Sequence, residues 1–141
     1  MASVRPHSGL VRKFSVQLTV SDLDTTEAFY AGILGVPLRR SLTFPGFPDH
    51  LIMEQDDWTL VFNEEATVVG AHPVLEEQFD SFPKGVGITL HFRVEGIEEI
   101  YQALLNDGLE ILYPLEEKPY GFKELWCFDP DGYLVVLAEL R

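Results

Sequence analysis

The sequence predicts an α+β fold in which two tandem β-α-β-β-β modules form a curved mixed β-sheet around a central cavity. The main observation is an internal repeat: the alternating pattern at residues 15–20 recurs at 89–94 with an offset of 74, and residues 58–62 recur at 133–137 with an offset of 75. Each copy of the first strand is followed by an amphipathic helix and three strand-like segments. Because alternation alone would not also repeat the order of elements, a duplicated unit is favoured.

The repeat divides the chain into four segments. These are a flexible N-terminal arm (1–12), a first module (13–63), an acidic connector (64–86) and a second module (87–141). The connector is longer than a usual loop, which predicts either a short helix near 74–79 or a functional role.

The first module begins with a strand at 14–20, where apolar and polar residues alternate. A helix is predicted at 25–34, with Asp24 and Glu27 forming its N-terminal cap and Gly35 its left-handed stop. Strands at about 37–43, 49–54 and 57–63 follow. Their short links predict an antiparallel meander.

The second module repeats this order. A strand at 87–94 precedes the clearest helix of the chain, in which apolar residues recur at helical spacing from Ile97 to Leu105 before Gly108 ends it. Strands at about 109–113, 120–128 and 132–139 complete the module. The DPDG sequence at 129–132 is interpreted as a structural turn between the last two strands.

Composition and charge exclude several classes of protein. The chain has 10 Lys and Arg residues against 23 Asp and Glu, a net charge of −13, which disfavours nucleic acid and anionic membrane surfaces as partners. The apolar content of 46% is too high for a disordered acidic chain. A single cysteine excludes an internal disulfide, and we find neither a signal-peptide core nor an 18-residue apolar run. These features predict a cytoplasmic protein.

Two stretches carry a resemblance to a known family. The sequence VSDLDTTEAFYAGILGV is similar to the V-x-D-x6-FY-x3-LG signature of the vicinal oxygen chelate superfamily, and FDPDGYLVVLAE is similar to the family's C-terminal strand pair. This superfamily contains glyoxalase I, extradiol dioxygenases, and fosfomycin and bleomycin resistance proteins. The resemblance covers roughly residues 13–140 and implies two modules around a substrate-sized cavity. It also implies a homodimer, since members commonly pair.

The resemblance further implies positions for one divalent metal, on the first and last strands of each module. These positions fall on Ser15 and Thr89, and on Val136 together with Val61 or, if the register slips by two, Thr59. Hydroxyl and apolar side chains bind a divalent ion weakly or not at all. The sequence therefore predicts no metal cofactor and is most similar to the bleomycin-resistance-like branch, whose members sequester a ligand between apolar and aromatic walls.

Other polar residues lie on the same predicted strand faces. Gln17 and His91, two residues beyond the implied metal positions, are the centre of an alternative, shifted metal site. His91 by itself is either a hydrogen-bonded cavity residue or a general acid and base. Arg93 is interpreted either as a clamp for an anionic group or as one partner of a surface salt bridge.

Aromatic residues offer stacking walls for a cavity. The candidates are Trp58, Trp126, Phe122, Phe44 and Phe47. Among them Trp126 and Phe122 are favoured, because the KPYGFKELW segment lies where family members line their cavity. Cys127, on the opposite strand face from Trp126, is predicted to be a buried, inert thiol.

Three functions remain open at this point. The favoured one is a protein without a metal that binds a small amphipathic molecule, an antibiotic or a metabolite, with a cation as one option. The second is a metal-dependent lyase, isomerase or dioxygenase that uses the shifted site, and the third is a partner module with a vestigial cavity. The predicted ligand-binding residues are Ser15, Gln17, Thr59, Val61, Thr89, His91, Arg93, Phe122, Trp126 and Val136.

Overall fold

The computed structural model describes residues 14–41 and 49–140. The arm predicted for residues 1–12, and the aromatic candidates Phe44 and Phe47, lie outside the described residues. The strands are β1 (Phe14–Val20), β2 (Arg39–Ser41), β3 (His50–Gln55), β4 (Trp58–Glu64), β5 (Thr89–Arg93), β6 (Ile111–Glu117), β7 (Phe122–Phe128) and β8 (Leu134–Leu140). The helices are α1 (Leu23–Glu27), which continues as a π-helical segment (Ala28–Ile33), α2 (Glu65–Ala71), α3 (Glu76–Ser81) and α4 (Ile97–Asn106).

The strands form two four-stranded sheets with the same topology. Their orders are β1-β4-β3-β2 and β5-β8-β7-β6, with the first pair of each sheet parallel and the others antiparallel. The register repeats as well, because Ser15 is beside Thr59 and the equivalent Thr89 is beside Leu134. The predicted α+β class with tandem β-α-β-β-β modules is therefore confirmed, as two separate curved sheets.

One hydrophobic core joins the two modules. It contains inward-facing residues of both sheets together with the apolar faces of α1, its π-helical continuation and α4. Tyr30 lies at its centre, with ring centroids 4.8 Å from Phe62 of the first sheet and 6.0 Å from Phe92 of the second. Both helices thus pack on the faces of the sheets that share this core.

The first helix begins two residues earlier than its sequence predicts. The N-cap is Asp22, not Asp24, because the Asp22 carboxylate accepts hydrogen bonds from the backbone N–H of Thr25 at 3.1 Å and from its hydroxyl at 2.6 Å. Asp24 instead pairs with Arg40. The predicted stop is confirmed, since Gly35 has a φ of +75°.

The DPDG turn is structural, as predicted, and it also links the modules. The Asp129 carboxylate accepts from the backbone N–H of Asp131 at 2.8 Å and of Tyr133 at 2.9 Å, which closes the turn. Its other oxygen accepts a 2.7 Å hydrogen bond from the hydroxyl of Tyr30, which belongs to the first module. Tyr133 reaches back in turn and donates to the Thr19 carbonyl oxygen at 2.7 Å.

The connector holds more helix than its sequence predicts. The helix expected near 74–79 is present as a 3-10 turn (Pro73–Leu75) that leads into α3, while α2 was not predicted because its sequence lacks a cap and an apolar stripe. Lys84 anchors the segment through an ion pair of 2.7 Å with Glu65. Within the part of the chain that the structure describes, no helix is both long and apolar enough to span a membrane.

Candidate functional site

All ten predicted ligand-binding residues lie on the sheet faces that point away from the common core. We call these the outer faces. Side chains alternate along a strand, so the neighbours of core residues such as Leu18, Leu60 and Leu137 point outward. The outer face of the first sheet carries Ser15, Gln17, Thr59 and Val61, and that of the second carries Thr89, His91, Arg93, Phe122, Trp126 and Val136.

The strand register decides which of these residues are neighbours. In the first sheet Ser15 is beside Thr59, whereas Val61 is beside Gln17. In the second sheet His91, Val136 and Trp126 lie in one row across β5, β8 and β7. The register thus pairs Ser15 with Thr59, the choice that the sequence left as a slip of two residues.

The residues at the implied metal positions do not fit a divalent ion. Ser15, Thr59 and Thr89 supply neutral hydroxyls, and Val61 and Val136 supply no donor at all. The alternative site around Gln17 and His91 is also a poor metal site, because the Gln17 side-chain oxygen already accepts a 3.0 Å hydrogen bond from Asn63. In residues 14–41 and 49–140, no three His, Cys, Asp or Glu side chains lie close enough together to hold a metal.

The second outer face contains a cavity of about 260 Å³, which we call the Arg93 cavity. Its lining residues are His91, Phe92, Arg93, Tyr120, Phe122, Glu124, Val136 and Ala138. Three neighbouring strands, β5, β8 and β7, carry all of them except Tyr120, which lies in the turn before β7. Apart from Phe92, which packs against the core, these side chains share one face because every second residue of a strand points the same way. The structure thereby brings together four of the predicted residues, His91, Arg93, Phe122 and Val136.

Arg93 is the cation of this cavity. Its guanidinium lies over the Phe122 ring, with the central carbon 5.2 Å from the ring centroid, a cation–π arrangement. None of the carboxylates in the described part of the chain forms an ion pair with it. By contrast, Arg40 contacts three carboxylates. The salt-bridge interpretation of Arg93 is therefore wrong for the described residues.

Glu124 lies in the same row as Arg93, with Ala138 between them, and forms hydrogen bonds with its neighbours. One carboxylate oxygen accepts a 2.5 Å hydrogen bond from the Tyr120 hydroxyl, and the other accepts from the Trp126 indole at 3.2 Å. These bonds, that from Tyr120 first, lower the pKa of the Glu124 carboxyl. Sequence reasoning missed both Glu124 and Tyr120. Alternation along β7 would have found Glu124, since it lies between Phe122 and Trp126 on the same face.

A second cavity, of about 250 Å³, lies between the two modules, and we call it the seam cavity. It is lined by Phe14, Val16, Trp58, Thr59, Leu60, Thr89, Leu90, His91 and Phe92. His91 and Phe92 belong to both cavities, so the two adjoin at β5. Four predicted residues, Ser15, Gln17, Val61 and Trp126, line neither cavity.

Two predictions about neighbouring side chains have clear outcomes. Cys127 is fully buried, and burial raises the pKa of its thiol to about 12, as expected for an inert cysteine. Trp126 packs edge-on against Tyr113, with 5.2 Å between ring centroids, instead of lining the Arg93 cavity. Its indole N–H donates to Glu124, which does line that cavity.

Comparison with solved structures supports the fold. The chain is similar to TioX from Micromonospora sp. ML1, with 17% identity over 92% of this chain and 98% of that one and a TM-score of 0.58. It is similar to the virulence protein STM3117 from Salmonella typhimurium (21% identity, 100% of both chains, TM-score 0.57). It also resembles a protein from Sphaerobacter thermophilus DSM 20745 that is described as a member of the glyoxalase/bleomycin resistance protein/dioxygenase superfamily (21% identity, 90% of this chain and 95% of that one, TM-score 0.59).

Sequence comparison gives the family. None of the curated proteins matches this chain. The family model described as the Glyoxalase/Bleomycin resistance protein/Dioxygenase superfamily matches residues 14–137, which include the first motif and most of the second motif and of both modules. With the duplicated modules and their repeated register, this match shows that the chain belongs to the glyoxalase/bleomycin resistance protein/dioxygenase superfamily.

Proposed function

We propose that this protein binds a small amphipathic molecule, an antibiotic or a metabolite, in the Arg93 cavity and sequesters it without transforming it. The ligand carries an anionic group and an aromatic or apolar body. The observation behind this proposal is the Arg93 guanidinium, which lies in a cavity and has no carboxylate partner among the described residues.

The state of Arg93 is unusual for so acidic a chain. With 23 carboxylates against 10 Lys and Arg residues, each cation has ample partners, yet Arg93 stacks on Phe122 instead. A guanidinium that lies over a ring without a carboxylate partner still has N–H groups to donate, and a carboxylate or phosphate accepts them in pairs. The cavity thus supplies a charge and an aromatic wall for one ligand.

The other polar groups of the cavity are a carboxylate that its neighbours hold in place and a histidine. Both oxygens of Glu124 already accept hydrogen bonds from Tyr120 and Trp126, so this carboxylate belongs to the wall. His91 adds a ring that donates or accepts a hydrogen bond. Binding without chemistry is supported by the implied metal positions, whose hydroxyl and apolar side chains are poor ligands for a divalent ion.

Isothermal titration with matched aromatic probes tests this function. We expect 2-naphthoate to bind, and its neutral and cationic counterparts, 2-naphthamide and 2-naphthylmethylamine, to bind at least about tenfold more weakly, which corresponds to about 1.4 kcal/mol. Arg93→Gln should remove the preference for the anion. Arg39→Gln is the matched control, because Arg39 also lies on an outer face but is paired with Glu54.

The result that contradicts the proposal is equally specific. If naphthoate binds no better than naphthamide, or if Arg93→Gln and Arg39→Gln have the same effect on its affinity, Arg93 does not recognise an anionic ligand.

We further expect the protein to form a homodimer through its outer faces. These faces leave large apolar side chains exposed, including Tyr113 and Leu140, which are 53% and 59% exposed. A second copy would cover them and enclose the Arg93 cavity. Light scattering of the purified protein measures this directly, and a monomeric mass at about micromolar concentration would contradict it.

A further inference from the structure

We propose that the seam cavity is a second part of the same ligand site, which takes the apolar, ring-bearing end of an elongated carboxylate and forms one hydrogen bond to it through Thr59. This inference rests on the proposed binding of an anionic group by Arg93. It adds two properties of the ligand to that proposal: its length, and one further polar group that it carries.

The seam cavity exists because the two sheets are not joined. β1 and β5 are each the last strand on their side of a sheet, and within the described residues neither pairs with the other. The space between them is walled by apolar side chains from both modules, among them Val16, Leu60 and Leu90. A cavity so lined favours apolar matter over water.

One polar atom in this apolar setting lacks a partner. The Thr59 side chain is buried, with 7% exposure, and its hydroxyl oxygen has no hydrogen-bond partner within residues 14–41 and 49–140. An unpaired buried hydroxyl is costly, and such groups are rare in folded proteins. This oxygen is covered, so a ligand in the seam cavity, which Thr59 lines, would pair with it once the Thr59 side chain rotates toward the cavity, and that hydrogen bond would remove the cost.

Two aromatic side chains stand at the rim of the seam cavity. Phe14 and Trp58 are direct neighbours in the parallel register of β1 and β4, and both line the cavity. They are 62% and 38% exposed, high values for side chains of this size. Exposed rings beside an apolar cavity provide stacking surface for the ring of a ligand.

The two cavities can be filled by one molecule. His91 and Phe92 line both, and Arg93 follows directly on β5. His91 lines the seam and Arg93 follows two residues later on the same face, about 7 Å along the strand at about 3.3 Å per residue. A ring joined to a carboxylate by a short alkyl chain matches this distance, whereas a carboxylate attached directly to the ring does not.

Three probes separate the two parts of the site. They are 4-(4-hydroxyphenyl)butyrate, which is long and carries a hydroxyl, 4-phenylbutyrate, which is long without it, and 4-hydroxybenzoate, which is short. In titrations of the full chain we expect the long hydroxylated probe to bind about fivefold more tightly than 4-phenylbutyrate and more tightly still than 4-hydroxybenzoate. Thr59→Val should abolish the difference between the two long probes.

The stability of the free protein provides a second readout. Thr59→Val keeps the shape of the side chain, so if the hydroxyl is unpaired the urea midpoint should stay the same or rise. Thr26→Val is the matched control: Thr26 is also buried, but its hydroxyl donates to the Asp22 carbonyl oxygen at 2.9 Å, so its loss should lower the midpoint. A lowered midpoint for Thr59→Val would mean that the hydroxyl is already paired, which overturns the proposal.

The failure of this inference differs from the failure of the proposed function. If the long and short probes bind equally and Thr59→Val changes neither, the seam cavity takes no part in binding, while loss of affinity in Arg93→Gln would still support the anion site. If Arg93→Gln leaves the affinity of all three probes unchanged, or if none of them binds, the proposed function fails and this inference fails with it.

Discussion

The hydrogen bond between Tyr30 and Asp129 offers the sharpest test of how the two modules are held together. Tyr30→Phe removes one hydroxyl and leaves the ring contacts with Phe62 and Phe92 in place. Tyr30 is fully buried and Asp129 is 5% exposed. The other Asp129 oxygen is occupied by two backbone N–H groups, so the variant leaves one buried carboxylate oxygen without its donor.

The expected loss of stability follows from this geometry. A hydrogen bond to a charged group contributes about 1.5–3 kcal/mol, so we expect the free energy of unfolding to fall by about 2 kcal/mol. For a chain of this size that corresponds to a decrease in Tm of about 7 °C. Tyr133→Phe is the matched control, because Tyr133 donates to a neutral carbonyl oxygen and should cost only about 1 kcal/mol.

The pH dependence separates the two variants further. Burial raises the pKa of Asp129 above its usual value of 3.8, and the hydrogen bond from Tyr30 opposes that rise. Because the folded pKa is the higher one, the stability linked to this proton is fully present below the unfolded pKa and is lost as the pH rises through the folded value. Tyr30→Phe raises the folded pKa further, so its cost is largest near neutral pH and shrinks on acidification.

Urea unfolding followed by the fluorescence of Trp58 and Trp126 measures these differences, from about pH 7 down to about pH 4. We expect the gap between Tyr30→Phe and the native protein to narrow as the pH falls, and that of Tyr133→Phe to change little. A cost for Tyr30→Phe below about 0.5 kcal/mol, or one equal to that of Tyr133→Phe at every pH, would refute the reasoning.

Three further predictions concern single positions. Asp22→Ala should lower the free energy of unfolding by about 1 kcal/mol in a urea titration, while Asp24→Ala should cost less, because Asp22 is the cap. Gly85→Ala should destabilise the protein by at least about 1–2 kcal/mol more than Gly87→Ala in the same assay: both glycines have φ near +85°, but only at Gly85 would a Cβ meet backbone atoms, 2.8 Å from the Gly132 carbonyl oxygen. Equal losses would contradict this contact. Cys127 should react with a thiol reagent only after unfolding by urea, and a fast reaction in the native protein would show that its thiol is accessible.

Most of the fold could be predicted from the sequence. The alternation in β1 and β5, the apolar spacing of α4 and the turn residues at 129–132 each depend on neighbours within a few positions, and all were placed correctly. The repeat predicted the topology, since it gave both modules the same order of elements. Sequence-based predictions failed where the local signal was weak, as in α2, or where two neighbouring acids could each cap the helix, as at the start of α1.

The candidate site was predictable only in part. Alternation placed all ten proposed residues on the outer faces, but it could not say which of them share a cavity. His91, Arg93, Phe122 and Val136 do, whereas Trp126 packs on Tyr113 and Gln17 bonds to Asn63. Glu124 and Tyr120 were not predicted, because an acid and a tyrosine near a hairpin are typical of the solvent-exposed surface.

The sequence by itself determined the two modules, their order and the chemistry available at the implied metal positions, because period and residue type are properties of short stretches of chain. Only the tertiary structure decided that Arg93 lies over an aromatic ring without a carboxylate partner in the described residues, that the Thr59 hydroxyl is buried and unpaired among them, and that Tyr30 reaches Asp129. The physical reason is the range of the interactions. Ion pairs and hydrogen bonds act over a few ångströms, so which of 23 acids meets which cation depends on how distant segments are brought together.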